Sequence, residues 1–123
     1  MKLIIFLFCI PFVLFANQED IITFPSQDNI TITAKSYLVN STDNPFIILF
    51  HQAGWSHGEY QEIAPKLNNL GYNCFAIDQR SGDEVNGVVN QTYKNAKDNE
   101  KSTSYLDAYI DMILTEKAER NNS

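Results

Sequence analysis

The sequence predicts an α/β domain with a parallel sheet, and three features predict it. Two short apolar runs, FIILF at 46–50 and the centre of YNCFAID at 72–78, have the length and composition of strands covered on both faces. A helical period separates them and a second helical period follows, so strand and helix alternate as they do in parallel sheets. No internal repeat and no inter-domain linker divides the chain.

The opening, MKLIIFLFCIPFVLFA, carries Lys2, an apolar run from Leu3 to Phe15, and Ala16 just before the polar NQED. This is the pattern of a signal peptide over 1–16. The run is broken by Pro11 and is shorter than the roughly 20 residues a spanning helix needs, so export to a secreted or periplasmic location is expected, with no stable membrane span. Lipid attachment at Cys9 is disfavoured, because bulky Leu7 and Phe8 precede it and it sits inside the apolar run. The remaining 17–123, about a hundred residues, suffice for one small domain with a modest core. That portion holds a single cysteine, Cys74, which excludes a disulfide-stapled scaffold. A net charge of -6, without clustered Lys or Arg, argues against nucleic acid as a partner.

From Ile21 to Val39 apolar and polar residues alternate, most clearly in NITITAKSYLV, which predicts one or two half-buried strands. NSTDNP at 40–45 is a turn cluster that leads into FIILF. Tyr60, Ile63, Ala64, Leu67 and Leu70 then share one helix face. Ser56 with Glu59 three residues on is a capping-box signature for its start, Pro65 should kink or divide it, and Gly71 should end it. After the second apolar strand, QRSGDEVNG reads as a loop and NQTYKNAKDNEK as polar, aperiodic and exposed or mobile. Finally, STSYLDAYIDMILTEKAER predicts a helix from Tyr105 to Glu119, with Leu106, Tyr109, Ile110, Ile113 and Lys117 or Ala118 on one face and caps at Ser102 to Ser104.

Gly54-Trp55-Ser56-His57-Gly58 matches the G-x-S-x-G pattern of a nucleophile elbow. The context contradicts the match. In an elbow the strand runs straight into the first glycine, whereas His51, Gln52 and Ala53 intervene here. The triad order also requires a histidine downstream of the serine and its acid, and the two histidines are His51 and His57. Ser56 is therefore expected to be a helix cap. His51, His57 and Glu59 lack zinc-ligand spacing, so no metal or other cofactor is expected.

FIILFHQAGWSHGEYQEIAPKLNNLGYNCFAIDQRSGD resembles the early part of α/β-hydrolases, in particular dienelactone-hydrolase and secreted esterase-like members. The resemblance rests on an apolar strand ending in His51-Gln52-Ala53-Gly54, a helix, and a strand ending in Asp78-Gln79-Arg80-Ser81-Gly82. It spans roughly Ile21 to Arg120, with Gln52 where a glycine is common and Asp83 where the loop often continues with glycine. It implies a partial α/β-hydrolase sheet of the three-layer type, with the first strands and two helices, truncated before the nucleophile strand.

The resemblance further implies that the loop after Phe50 supplies a backbone oxyanion-hole donor, Ala53 or less plausibly Gln52, in a hydrolase of ester or other acyl bonds. The nucleophile and the triad histidine are absent from these residues, so the chain alone is expected to be inactive. Asp78 and Arg80 are expected to pin the loop after the second apolar strand, His51 to anchor the turn, and Trp55 to pack or to line an acyl pocket. FIILF would then be an exposed sheet edge open to a partner or to self-association. The alternative is a small exported binding module without enzymatic activity. Asn29, Asn40 and Asn90 each begin an N-x-Thr sequon.

Overall fold

A computed structural model describes residues 20–112. The leader at 1–16 and Cys9, the start of the 17–123 portion, and the helical positions Ile113, Lys117 and Ala118 lie outside the described residues. The described part is a small mixed α/β domain. Its four-stranded sheet comprises β1 (Ile21–Pro25), β2 (Thr31–Tyr37), β3 (Phe46–Phe50) and β4 (Asn73–Ile77), in the order β1-β2-β4-β3.

Only β3 and β4 are parallel; β1 pairs β2, and β2 pairs β4, in antiparallel register. The fully parallel sheet predicted above is thus corrected to a mixed one. The reason is connectivity. The β1–β2 hairpin closes through a turn at Ser26–Ile30, and its second strand joins the sheet on the free side of β4.

The strand period places Tyr37, Ile47, Leu49, Cys74 and Ala76 on one face, where Ala64 and Leu67 of α1 (Ile63–Asn69) cover them. Ile32, Ala34 and Ile77 lie on the other face with Phe24, Ile48, Phe50 and Phe75. Burial of Cys74 in the first cluster pushes its thiol pKa up, which suits an inert packing residue.

The helix predicted from Tyr60 to Leu70 is divided. A 3₁₀ helix at His57–Tyr60 comes first and α1 starts at Ile63, with Pro65 inside its first turn where a missing N–H is tolerated. Gly71 follows α1 with φ +95°, the left-handed conformation that closes a helix.

Two further corrections concern the stretch after β4. The expected loop contains a hairpin, β5 (Glu84–Val85) and β6 (Val88–Val89), turned by Asn86 and Gly87, both at positive φ. The stretch read as exposed or mobile forms α2 (Gln91–Asp98), because Asn90 caps it and two side chains bind it to β2: Thr92 Oγ1 accepts from Thr33 N at 2.9 Å and Asn95 Nδ2 donates to Thr31 O at 2.9 Å.

Helical backbone resumes at 108–112, later than the predicted Tyr105. Its buried residues are Ala108 and Asp111, while Leu106 and Tyr109 are exposed. An ion pair decides this orientation over the apolar pattern. Arg80 is almost fully buried; its Nη2 donates to Asp111 Oδ1 at 2.8 Å, and its backbone N–H donates to Asp111 Oδ2 at 3.0 Å. The same guanidinium forks onto Asp28 at 2.7 and 2.8 Å, and this holds the Asp28 carboxyl well below the usual carboxylate range. Arg80 therefore ties the β1–β2 turn, the end of β4 and the segment 108–112 together.

Candidate functional site

The loop after β3 starts with His51, which is buried and bonded on both ring nitrogens. Gln79 N donates to its Nε2 at 2.8 Å, so that nitrogen carries a lone pair and Nδ1 carries the proton, which goes to Gln52 O at 2.8 Å. Burial lowers the His51 pKa from its ordinary value and keeps the ring neutral, as this arrangement requires. His51 thus fastens the end of β3 to the end of β4.

Asn90 completes the clamp. Its Nδ2 donates to Gln79 O at 2.7 Å and Trp55 O at 3.1 Å and lies 3.1 Å from His51 Nε2, while its Oδ1 accepts from Tyr93 N at 2.8 Å as the cap of α2. Gly82 threads through the same place. A Cβ there would collide with Trp55 O and Asn90 Nδ2 and come within 2.7 Å of His51 Cε1, so the backbone approach requires glycine. Two ladder-like bonds, Gly54 N to Ser81 O at 2.9 Å and Asp83 N to Trp55 O at 2.9 Å, hold the two loops side by side.

Within this fixed loop the two candidate donors differ. Gln52 N donates to Glu59 Oε2 at 2.9 Å, so its N–H is occupied. Ala53 is exposed, and its N–H has no partner among the described residues. Gly54 follows with φ +88° and open space around its α-carbon. Tyr60 steadies the strand end, its hydroxyl donating to Phe50 O at 2.6 Å.

Ser56 is fully buried at the start of the 3₁₀ helix. Its Oγ accepts from Gly58 N at 3.1 Å and donates to Val88 O at 2.7 Å, which makes it a cap and a tie to β6. Glu59 does not close the capping box onto Ser56; it turns to Gln52 instead. No hydroxyl bonds either imidazole among the described residues.

A second constellation has no precursor in the motif reading. Asp78, fully buried at the end of β4, accepts at Oδ1 from His57 N at 2.8 Å and from His57 Nδ1 at 2.9 Å, and at Oδ2 from Gln91 N at 2.9 Å. The carboxylate anchors two helix starts and orients one imidazole. The partners are 21 residues apart, so no local motif could have revealed the pair. His57 borders a cavity of about 390 Å³ that is also lined from β1 and β2 and from the β5–β6 hairpin.

Among the described residues no group of three His, Cys, Asp or Glu side chains is placed to hold a metal, and no helix is long and apolar enough to cross a membrane. Comparison of the chain with protein-family models, with curated proteins and with solved structures finds no match.

Proposed function

We propose that this domain supplies the oxyanion-binding part of an exported hydrolase of ester or other acyl bonds, built on the first strands of a three-layer α/β-hydrolase sheet. One observation carries the reading: Ala53 is exposed and its N–H has no described partner at the carboxyl end of β3, in a loop clamped by His51 and Asn90. Acyl transfer builds charge on a carbonyl oxygen, and a fixed backbone donor is worth about 2.7 to 4 kcal/mol there, because it needs no reorganisation when the charge appears. Gln52 is the weaker donor, since its N–H already donates to Glu59 Oε2. Ser56 is committed to Gly58 and Val88, so the nucleophile and its histidine lie outside the described residues in this reading. The substrate is a small ester or acyl compound, and Trp55, partly buried beside the donor, borders its approach.

An NMR titration of the ¹⁵N-labelled chain with methylphosphonate, a tetrahedral oxyanion, tests the donor. The Ala53 amide should move downfield to saturation while that of Gln52 stays in place. An unresponsive Ala53 amide, or turnover of short activated esters by the chain itself that disappears in Ser56→Ala, would overturn the reading.

The alternative, an exported binding module, draws on a different observation: β3 is the outermost strand of the described sheet, with one side unpaired by any described strand. A soluble, cooperatively folding monomer of the isolated chain would favour that module, and insolubility would favour the hydrolase fragment.

A further inference from the structure

The observations at His57 go beyond the oxyanion reading and do not depend on it. His57 is 7 % exposed, and a fully buried carboxylate holds it. An ionised carboxylate only accepts, so the contact between Asp78 Oδ1 and His57 Nδ1 puts the ring proton on Nδ1. Nε2 then carries a lone pair when the ring is neutral and a second N–H when it is charged. It has no partner among the described residues, and it is not among the sealed buried atoms that lack one. The ring stands at the wall of the 390 Å³ cavity. A buried, carboxylate-oriented imidazole with an open nitrogen at a cavity of ligand size is a built site, because its rotamer and tautomer are set before anything binds.

The rest of the wall selects the chemistry of the occupant. Lys35 lines the wall from β2, with its Nζ 5.5 Å from the centre of the Tyr37 ring at a partly exposed position, and Gln61 and Gln91 are the amide-bearing residues. Ile21, Val88 and Val89 supply apolar wall. No carboxylate lines the cavity, although the chain carries a net charge of -6. The Asp78 carboxylate stands behind the wall, bonded to His57 Nδ1 and to Gln91 N, and balances the charge of the ring when Nε2 also carries a proton. An anion then meets an N–H at Nε2 and the Lys35 ammonium, while a short hydrocarbon chain finds apolar contacts beside them. The site is rigid on the His57 side, since a Cβ at Gly58 would strike Val85 O and come within 2.8 Å of Val88 Cβ, which locks the 3₁₀ helix against the hairpin.

We infer that this cavity binds a small organic acid with the His57 ring in its charged form, the acid's carboxylate accepting from His57 Nε2–H and from Lys35 Nζ and its short aliphatic tail lying against Ile21, Val88 and Val89. The charged head supplies orientation and the tail supplies buried area.

Titration of the full-length ¹⁵N-labelled chain with hexanoate, followed by amide shifts and by the ¹⁵N signals of His57, tests this. Saturable shifts should appear at Gln61, Val88 and Gln91, with a larger change at His57 Nε2 than at Nδ1. Hexanol at equal concentration should bind at least tenfold more weakly. Lys35→Gln, at a partly exposed position that leaves the core intact, should weaken hexanoate about tenfold, and Lys35→Arg should restore most of that loss. His57→Gln should weaken it similarly and abolish the Nε2 signature. Non-saturating shifts, equal binding of hexanol, or indifference to Lys35→Gln in a folded chain would each overturn the proposal.

Discussion

The loop after β3 and the cavity beside the 3₁₀ helix each hold one buried histidine, and they use it in opposite ways. His51 is bonded at both nitrogens, to Gln52 O on one side and to Gln79 N on the other, with Asn90 Nδ2 packed against the second. His57 is bonded at Nδ1 alone and borders the cavity with the rest of its ring. Both sit at the carboxyl ends of the parallel pair and six residues apart in the loop, so neither residue type nor position separates them. The claim on the second nitrogen does. Where neighbours saturate an imidazole it becomes a fastening, and where one carboxylate orients it and nothing closes it, it remains available for binding.

The largest effect should come from opening the clamp. Asn90→Ala removes the α2 cap and leaves Trp55 O and Gln79 O short of a donor. Each unmet buried partner costs about 1 to 3 kcal/mol and a lost cap about 1, with shared geometry making the sum less than additive, so a loss of about 3 kcal/mol is expected in urea unfolding. His57→Gln should cost about 1 kcal/mol, since a glutamine amide can still donate towards Asp78. Equal costs for the two variants would abolish the distinction between a fastening and an open site.

A pH titration of stability sharpens the same contrast. Burial lowers the His51 pKa, so below its ordinary 6.5 the unfolded chain takes up a proton that the folded chain does not. Stability should therefore be level above that pH and fall as pH drops through it, by up to about 1.4 kcal/mol per pH unit. Asp28 adds a second phase. Its pKa lies far below the ordinary 3.8 because Arg80 grips it, so its contribution is complete above that value and is lost as pH falls further. His51→Gln should flatten the first phase and Asp28→Asn the second, each measured by chemical unfolding at successive pH values.

What the sequence disclosed follows from the range of each signal. FIILF, NCFAI and the Ile63–Leu67 period are local patterns, and each became an element close to its predicted place. Asn86-Gly87 between valines was a hairpin signal of the same local kind, overlooked because its strands are only two residues long. The mixed sheet was not legible, since nothing in TITAKSY specifies whether β4 will meet it in parallel or antiparallel register. Residues Gln91–Asp98 have no apolar stripe to reveal a helix; long-range bonds from Thr92 and Asn95 to β2 fasten it. The Arg80–Asp111 pair likewise overrode the apolar face formed by Leu106 and Tyr109, because a buried guanidinium without its carboxylate would be far costlier than two exposed apolar side chains. In the site, Ser56 was readable as a cap from its own neighbourhood, whereas the Asp78–His57 pair and the Asn90 hub exist only once the chain has folded.

The smallest effect on binding belongs to Ser56, which stands between the two regions and serves neither chemistry. Ser56→Ala removes the acceptor for Gly58 N and the donor to Val88 O, while the surrounding backbone, locked by Gly58 against β5 and β6, keeps its course. A lost cap together with one unmet carbonyl should cost about 1 to 2 kcal/mol, and Ser56→Thr should recover part of it. Neither variant touches the Ala53 N–H or the His57 ring, so the response to methylphosphonate and to hexanoate should match that of the unsubstituted chain. If either response vanished in folded Ser56→Ala, the serine would belong to the chemistry after all, and the separation between the clamped loop and the open cavity would have to be redrawn around it.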